Sequence, residues 1–448
     1  MFWARIAAAA VALYFLYIFG LAGTGLIGPD EPRYASIGRE MAASGDWITP
    51  RLWGEPWFEK PALIYWMTGA GFKLGLGPET APRLPVALLS GAFLIFYWWA
   101  LRRIFSPDVA LYSTLVLATS GGWLAFSHAA VTDLPLAATF SAAMLVLLLP
   151  HRFALISAGA LLGLAVLAKG LVPLVLILPV AWFERRRWRE AWLPALACLA
   201  VAAPWYLACY FRHGRAFLDE FLWKHHLGRF ASEELLHVQP FWFYVPVLAA
   251  ALFPWSAGLG LLFRNGAHRR MLLWVVLFGF VFFSLSANKL PGYLLPLVPA
   301  ACVLIGAGLA ETRRLWWFFG VSGLLLGFLP VIASVLPRAL GSGLSRAGWQ
   351  TAPWLWTLMG IPLAGLLLWL EKGGRRKLAV VTLAAVVVAA TVKMKVRVFP
   401  LIDQFATARP VYREAVAMGR ACAPPLNRAF RYGLNYYSER PWPDCDQE

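Results

Sequence analysis

The stretch IAAAAVALYFLYIFGLAGTGLIGPDEPRYASIGREM, residues 6–41, changes character part-way along. Residues 6–26 hold no charged side chain. At about 20 positions they are long enough to cross the ~30 Å hydrocarbon layer of a bilayer, and longer than the apolar part of a cleaved signal peptide. They read as an uncleaved first span. Directly after it, the fourteen residues 28–41 carry five ionisable side chains. Charge at a membrane boundary is costly, so this block is either a solvated flank or a site of chemistry.

The rest of the chain extends the membrane reading. Of its 448 residues 60% are hydrophobic, 15% aromatic and only 14% charged, too apolar for a soluble globule. Further spans are expected at about 82–101, 108–126, 131–149, 153–168, 170–183, 191–210, 240–263, 271–286, 290–309, 314–336, 354–370 and 378–392, roughly 13 in all. The expectation is therefore an all-α polytopic membrane protein. With the N-terminus cytoplasmic, the connections RRIFSPD (102–108), ERRRWRE (184–190), RNGAHRR (264–270), ETRR (311–314) and EKGGRRK (371–377) fall inside, each net positive, as the positive-inside rule asks. The net charge of +17 is largely a matter of topology. A nucleic-acid surface is disfavoured, because the arginines sit in separate short loops rather than along one face.

This orientation puts a first loop (27–81), loops at 211–239 and 337–353, and a tail from about 393 on the outer side. Residues 1–392 are taken as the membrane domain, with 27–81 as its first extracytoplasmic loop, and 393–448 as a short extracytoplasmic tail. Cys198, Cys209 and Cys302 fall in or beside spans and read as small buried hydrophobes. Cys422 and Cys445 lie in the tail and are free to pair if it is extracytoplasmic.

In the first loop, Asp30 fits the cap of a helix that Pro32 starts and Gly45 ends. A second interfacial helix is expected from Pro61, with Glu59 and Lys60 at its N-terminus. Asp30 and Glu31 serve equally as a cap with its helix-dipole partner or as functional carboxylates. Read whole, the loop alternates carboxylates at 30, 31, 55 and 59 with Arg33, Arg51 and Lys60, which favours function. A carboxylate takes a proton from an acceptor hydroxyl, and Lys and Arg neutralise a departing phosphate of the kind that polyprenyl lipids carry at this depth.

Other candidates have bland readings beside the sharp ones. Asp133, in TDLPLA, is a helix-start residue or a second acid, with His128 about one turn earlier. Lys169, in LAKGLVPL, either snorkels or meets a phosphate. In NKLPGYLLPLVPA, Lys289 is within reach of a phosphate head and Tyr293 of a sugar. His225, His226 and His237 match no standard zinc spacing, and no metal site is assigned. No cofactor is expected, a divalent metal remaining open. There is neither a P-loop nor an HExxH motif. Because nucleotides are cytoplasmic and these charges face outward, a nucleotide sugar is not the expected donor.

Taken in order, DEPRYASIGREM, GDWITPRLWGEPWFEKPALIYW, TDLPLA, LAKGLVPL and NKLPGYLLPLVPA closely resemble the bacterial aminoarabinose transferases of lipid A. More widely they resemble the glycosyltransferase 39/83 group, relatives of the protein O-mannosyltransferases. The resemblance covers about the first 310 residues. It implies a GT-C fold and an inverting transferase that takes a sugar from a polyprenyl phosphate at the outer face of the cell inner membrane. By position it implies Asp30 as the main acidic residue and Asp133 as the second, and Lys60 as the donor-phosphate contact with Arg33 and Glu59 beside it. Glu31, Tyr34, Trp57, Lys289, Tyr293, Lys169 and His128 complete the expected donor phosphate and sugar set. The acceptor would be a glycolipid such as lipid A or another envelope molecule; membrane lipids, and no nucleic acid, are the other expected partners. Two features depart from the family: Trp57 stands where Tyr is common, and the tail is shorter than the periplasmic domain of aminoarabinose transferases. The alternatives are a protein O-mannosyltransferase-like enzyme and, in another class, a lipid or sugar transporter, against which the nearly charge-free spans count.

Overall fold

The computed structural model describes residues 2–221, 238–263, 266, 268–420, 422, 426–443 and 445. Among these, helices dominate, and the two-stranded hairpin described below is the one sheet. Five helices are long and apolar enough to cross a membrane by themselves: Thr80–Ile104, Trp192–His213, Pro291–Glu311, Trp354–Lys372 and Arg376–Arg397. Shorter apolar helices, such as Asp133–Leu147 and Ala154–Lys169, pack among them, and the chain is a multi-pass, all-α membrane protein.

Several expected spans change shape. The first helix, α1 (Phe2–Leu13), continues through a π turn, Tyr14–Ile18, and stops before Gly20, whose φ of +74° turns the chain away. The helical part of the 6–26 run therefore ends at 18. Lys395 donates to the carbonyls of Phe15 (2.9 Å) and Leu16 (2.8 Å), acceptors that a helix end leaves without intrahelical partners. The expected single span 240–263 is broken, with Phe241–Ala251 and Trp255–Leu261 meeting at 116°. The span expected at 314–336 is two helices bent by 50°, Trp316–Leu326 and Leu329–Ser342. Hydropathy averaged over a window registers apolar length and is blind to such bends.

The first loop folds as two helices, α2 (Asp30–Ser44) and α3 (Leu63–Lys73). Gly45 ends α2 in the left-handed conformation, φ +74°, with its N–H on the Met41 carbonyl, the role expected of a C-terminal glycine. Between the helices, β1 (Arg51–Leu52) and β2 (Glu55–Pro56) form a hairpin whose two turn residues, Trp53 and Gly54, both have positive φ, as a tight two-residue turn requires. The Glu40 carboxylate accepts both turn N–H groups, from Trp53 at 2.6 Å and Gly54 at 3.0 Å, so α2 holds the hairpin in place.

The two helices pack with almost no side chain between them. A Cβ added at Gly38 would lie 1.9 Å from Thr68 Oγ1 and 2.9 Å from the Gly69 nitrogen. Gly38→Val is therefore expected to force α2 from α3, costing roughly 1–3 kcal/mol and lowering the thermal midpoint of the detergent-purified protein. An unchanged midpoint would show that the contact yields freely.

The long helix α4 (Thr80–Ile104) carries Arg83 under the loop. The tail forms helices Phe399–Ala406, Arg409–Ala417 and Arg428–Ser438, with Cys422 and Cys445 joined in a disulfide. It is bound to the first loop rather than perched beside it. Asp403 accepts the Gly25 N–H at 2.6 Å and pairs with Arg409, which also meets Glu79 at 3.2 Å. Tyr436 donates to the Pro78 carbonyl, and Arg39 to the Tyr436 carbonyl at 2.9 Å. Cys198, Cys209 and Cys302 are buried free thiols, as expected.

Candidate active site

α2 and the turn before α3 bring together the densest ionic group of the first loop. Arg33 is at its centre. Its guanidinium is ion-paired to Asp30 one turn back and to Glu59 at 2.8 Å, and Glu59 in turn meets Lys60 at 3.2 Å. Aromatic rings enclose this row: the Arg33 guanidinium carbon lies 5.7 Å from the centroids of Tyr34 and Trp57 and 5.2 Å from that of Tyr432, distances at which a cation is attracted to a ring face. Tyr432 comes from the tail and stacks on Trp53 at 5.6 Å. Tyr34 and Tyr65 meet edge to face at 5.8 Å. Burial pushes both phenols well above their ordinary values, the charges of Asp30 and Glu59 adding to the rise. For Arg33 burial works against the charge, yet Glu59, Tyr34 and Asp30 outweigh it and raise its pKa.

The local geometry corrects one expectation. Helix α2 begins at Asp30 itself, Pro29 is the residue before it, and the Asp30 side chain makes no capping bond. The carboxylate instead turns sideways to Arg33 at i+3, where it still benefits from the positive helix end. It is 42% exposed beside an Arg33 that is 3% exposed, so it is the accessible member of the group.

Four polar groups in this neighbourhood are buried without a partner among the described residues: Arg33 Nε, Trp53 Nε1, Trp57 Nε1 and the Tyr65 hydroxyl. Buried donors are nearly always satisfied. This concentration marks a place suited to an acceptor-rich ligand, such as a phosphate or a row of sugar hydroxyls.

A second group forms at the ends of three other helices. Asp133, first residue of Asp133–Leu147, pairs with Lys169, last residue of Ala154–Lys169, at 2.5 Å, and the Lys169 ammonium lies 4.6 Å over the Tyr293 ring. Neither the cap reading of Asp133 nor the snorkelling reading of Lys169 describes this contact. The two groups lie on one side of the protein. Phe58 and Ala62, flanking Glu59 and Lys60, share a buried cluster with Val166 and Leu167, just before Lys169.

Three residues expected in the donor set have other work. Glu31 is 1% exposed and all its acceptor capacity is taken: Arg83 holds both oxygens at 2.7 and 2.8 Å, and the N–H groups of Ile27 and Ala130 fill the remainder. It has no oxygen left for a ligand and instead anchors the segment leading to Asp133. His128 turns away: Nδ1 lies 2.7 Å from the Leu124 carbonyl, its ring packs edge-on to Phe399, and burial with nearby Lys395 pushes it down to about 3, so it stays neutral. Lys289 is buried and donates to the carbonyls of Ser286 (2.7 Å) and Gln239 (3.1 Å), holding the turn before Tyr293. His225, His226 and His237 lie outside the described residues. The glycines of GTGLIG, 23–28, have dinucleotide-loop spacing but no strand before them, and the carbonyls of Thr24 and Gly25 accept from Arg83.

Comparison with known proteins bears on this arrangement. The family described as "Dolichyl-phosphate-mannose-protein mannosyltransferase" matches residues 2–216. The undecaprenyl phosphate-alpha-4-amino-4-deoxy-L-arabinose arabinosyl transferase of Pseudomonas aeruginosa is 35% identical over 334 residues, 68% of this chain and 59% of the relative. That of Edwardsiella ictaluri is 33% identical over 66% of this chain and 58% of the relative. The chain thus spans under two thirds of the length of these curated relatives. The crystal structure of ArnT from Cupriavidus metallidurans bound to undecaprenyl phosphate superposes with a TM-score of 0.78 at 25% identity, over 98% of this chain and 85% of that one. The chain is an aminoarabinose transferase-like protein of the GT-C fold. Arabinosyltransferase EmbB from Mycobacterium smegmatis, at a TM-score of 0.53 and 13% identity over 96% of this chain and 42% of that one, shares the fold alone.

Within this GT-C chain, sequence reasoning missed Arg83, Glu40, Tyr65, Trp53 and Tyr432. Arg83 offered a signal: a lone arginine early in an apolar span needs a buried partner. Tyr432 offered none, because its position over Arg33 depends on tertiary folding across nearly the whole chain.

Proposed function

We propose that the protein transfers a sugar from a polyprenyl phosphate to a glycolipid, lipid A-like or another envelope molecule, at the outer face of the inner membrane. The observation that carries this reading is the group of unpartnered buried donors around Arg33, Glu59 and Lys60. The relatives' names and the ArnT structure's bound undecaprenyl phosphate agree with it. In this reading Lys60 and Arg33 face the donor phosphate and Trp57, Tyr34 and Tyr65 border the sugar. The glycosidic C–O bond breaks with its electron pair going to the phosphate oxygen, where the cations stabilise the charge. The acceptor oxygen attacks the opposite face of the sugar, inverting it. A hydroxyl acceptor passes its proton to the exposed Asp30 carboxylate; a phosphate acceptor needs no base, and Asp30 then orients the sugar. Asp133, held by Lys169 beside Tyr293, is the second acidic position.

Residues 1–392 then form the membrane domain and 393–448 the outer tail. The Cys422–Cys445 disulfide supports an extracytoplasmic tail, since such bonds persist in oxidising compartments. The hydrogen bonds between the tail and the first loop support a candidate site on the same side.

Binding of undecaprenyl phosphate to the purified protein tests the reading. Lys60→Ala is expected to remove a charge-assisted contact of about 1.5–3 kcal/mol, a roughly ten- to hundredfold loss of affinity. Equal affinity in the variant and the parent would refute the assignment of Lys60 to the phosphate.

A further inference from the structure

Far from the ionic groups, a cavity of about 640 Å³ opens between helix Leu178–Phe183 and helix Arg269–Leu285. Its walls grade in character. Arg185 and Arg270 stand at one end, Trp182 and Trp274 come next, and Leu178 and Phe278 line the remainder. On the longer helix Arg270, Trp274 and Phe278 follow at intervals of four, which puts them on one face. Trp182 and Trp274 are 61% and 50% exposed, so the cleft opens outward.

The arginine end lies opposite the candidate active site. From Lys169 the chain runs through two short helices to Arg185, at most about 24 Å along helical rise. From Arg270 the other helix returns to the segment bearing Tyr293, which sits under Lys169. Both arginines belong to the connections 184–190 and 264–270 that the positive-inside rule assigns to the far leaflet's side. Arg269, next in sequence, is ion-paired to Glu311, whereas Arg185 and Arg270 have no carboxylate partner among the described residues. The Arg185 guanidinium packs 5.1 Å over the Trp182 ring and donates to the Trp182 carbonyl at 3.2 Å, which holds it at the mouth of the cleft.

We propose that this cleft binds an anionic phospholipid of the far leaflet, its phosphate between Arg185 and Arg270 and an acyl chain along Trp182, Trp274 and Phe278. The charge at the mouth, the aromatic belt and the apolar floor match headgroup, interface and chain in order. A free anion would use only the mouth.

Native mass spectrometry of the full chain in detergent, with added phosphatidylglycerol or phosphatidylcholine of identical acyl chains, tests this. Phosphatidylglycerol is expected to stay bound as a discrete adduct and phosphatidylcholine to be lost. Each arginine is expected to contribute about fivefold, so R185Q/R270Q lowers retention roughly 25-fold, with the thermal midpoint unchanged because both side chains are exposed. R185K/R270K, which keeps the charge, is expected to retain the lipid within a few fold. Equal retention of the two lipids, or wild-type retention by R185Q/R270Q, overturns the proposal. So does loss of the lipid in the lysine variant, or displacement by glycerol 3-phosphate as effective as by the lipid.

Discussion

Replacing Glu31 by alanine should leave little folded protein. Arg83 is 2% exposed, and its donors are fully engaged by Glu31 and by the carbonyls of Leu21, Thr24 and Gly25. Without Glu31 a buried guanidinium loses the carboxylate that it is paired to, and the N–H groups of Ile27 and Ala130 lose their acceptor. Breaking one half of a buried ion pair costs about 3–5 kcal/mol, a large part of a typical stability margin. The measurement is the thermal midpoint and the monodisperse yield on size exclusion. Glu31→Ala combined with Arg83→Met should recover part of the loss, because removing both charges leaves none unpaired. A Glu31→Ala protein as stable as its parent would show that Arg83 finds water or another acid.

Asp30→Asn should do the opposite: fold normally and lose transfer. The carboxylate is the exposed end of the Asp30–Arg33–Glu59–Lys60 row, so its charge can go while Glu59 still pairs with Arg33. Loss of a positioned base lowers turnover by about 10²–10⁴-fold. If Asp30 instead orients the sugar for a phosphate acceptor, the loss should be smaller and should not depend on the acceptor's own acidity. Full transfer by Asp30→Asn, with normal yield, would remove Asp30 from the chemistry.

Much of this was legible in the sequence because the fold and the site obey different but local rules. Long apolar runs predict helices wherever a bilayer is the solvent, and the Gly45 stop of α2 was legible from one residue. The Asp30, Arg33, Glu59 and Lys60 group was legible because charge at a membrane edge demands a partner. Glu31 shows where such reasoning stops. Adjacent acids in one motif look alike as letters, yet the 100° step between neighbouring helical positions aims one at Arg33, partly exposed, and the other at the buried Arg83. The bend of 116° after Ala251 and the seat of Tyr432 were likewise invisible, since neither is encoded within a window of neighbours.

The tail's grip on the first loop has a consequence in time. Arg39 waits for a carbonyl 397 residues later in the chain, and Gly25 for a carboxylate 378 residues later. Contacts of such separation close last. The first loop is thus inserted long before its surroundings are finished. Until the ribosome has added Tyr432, Arg33 has Glu59 but no ring from that residue above it. Closure of the candidate site then waits on the segment that bears Tyr432, and a chain cut short before it would insert with that site open to water.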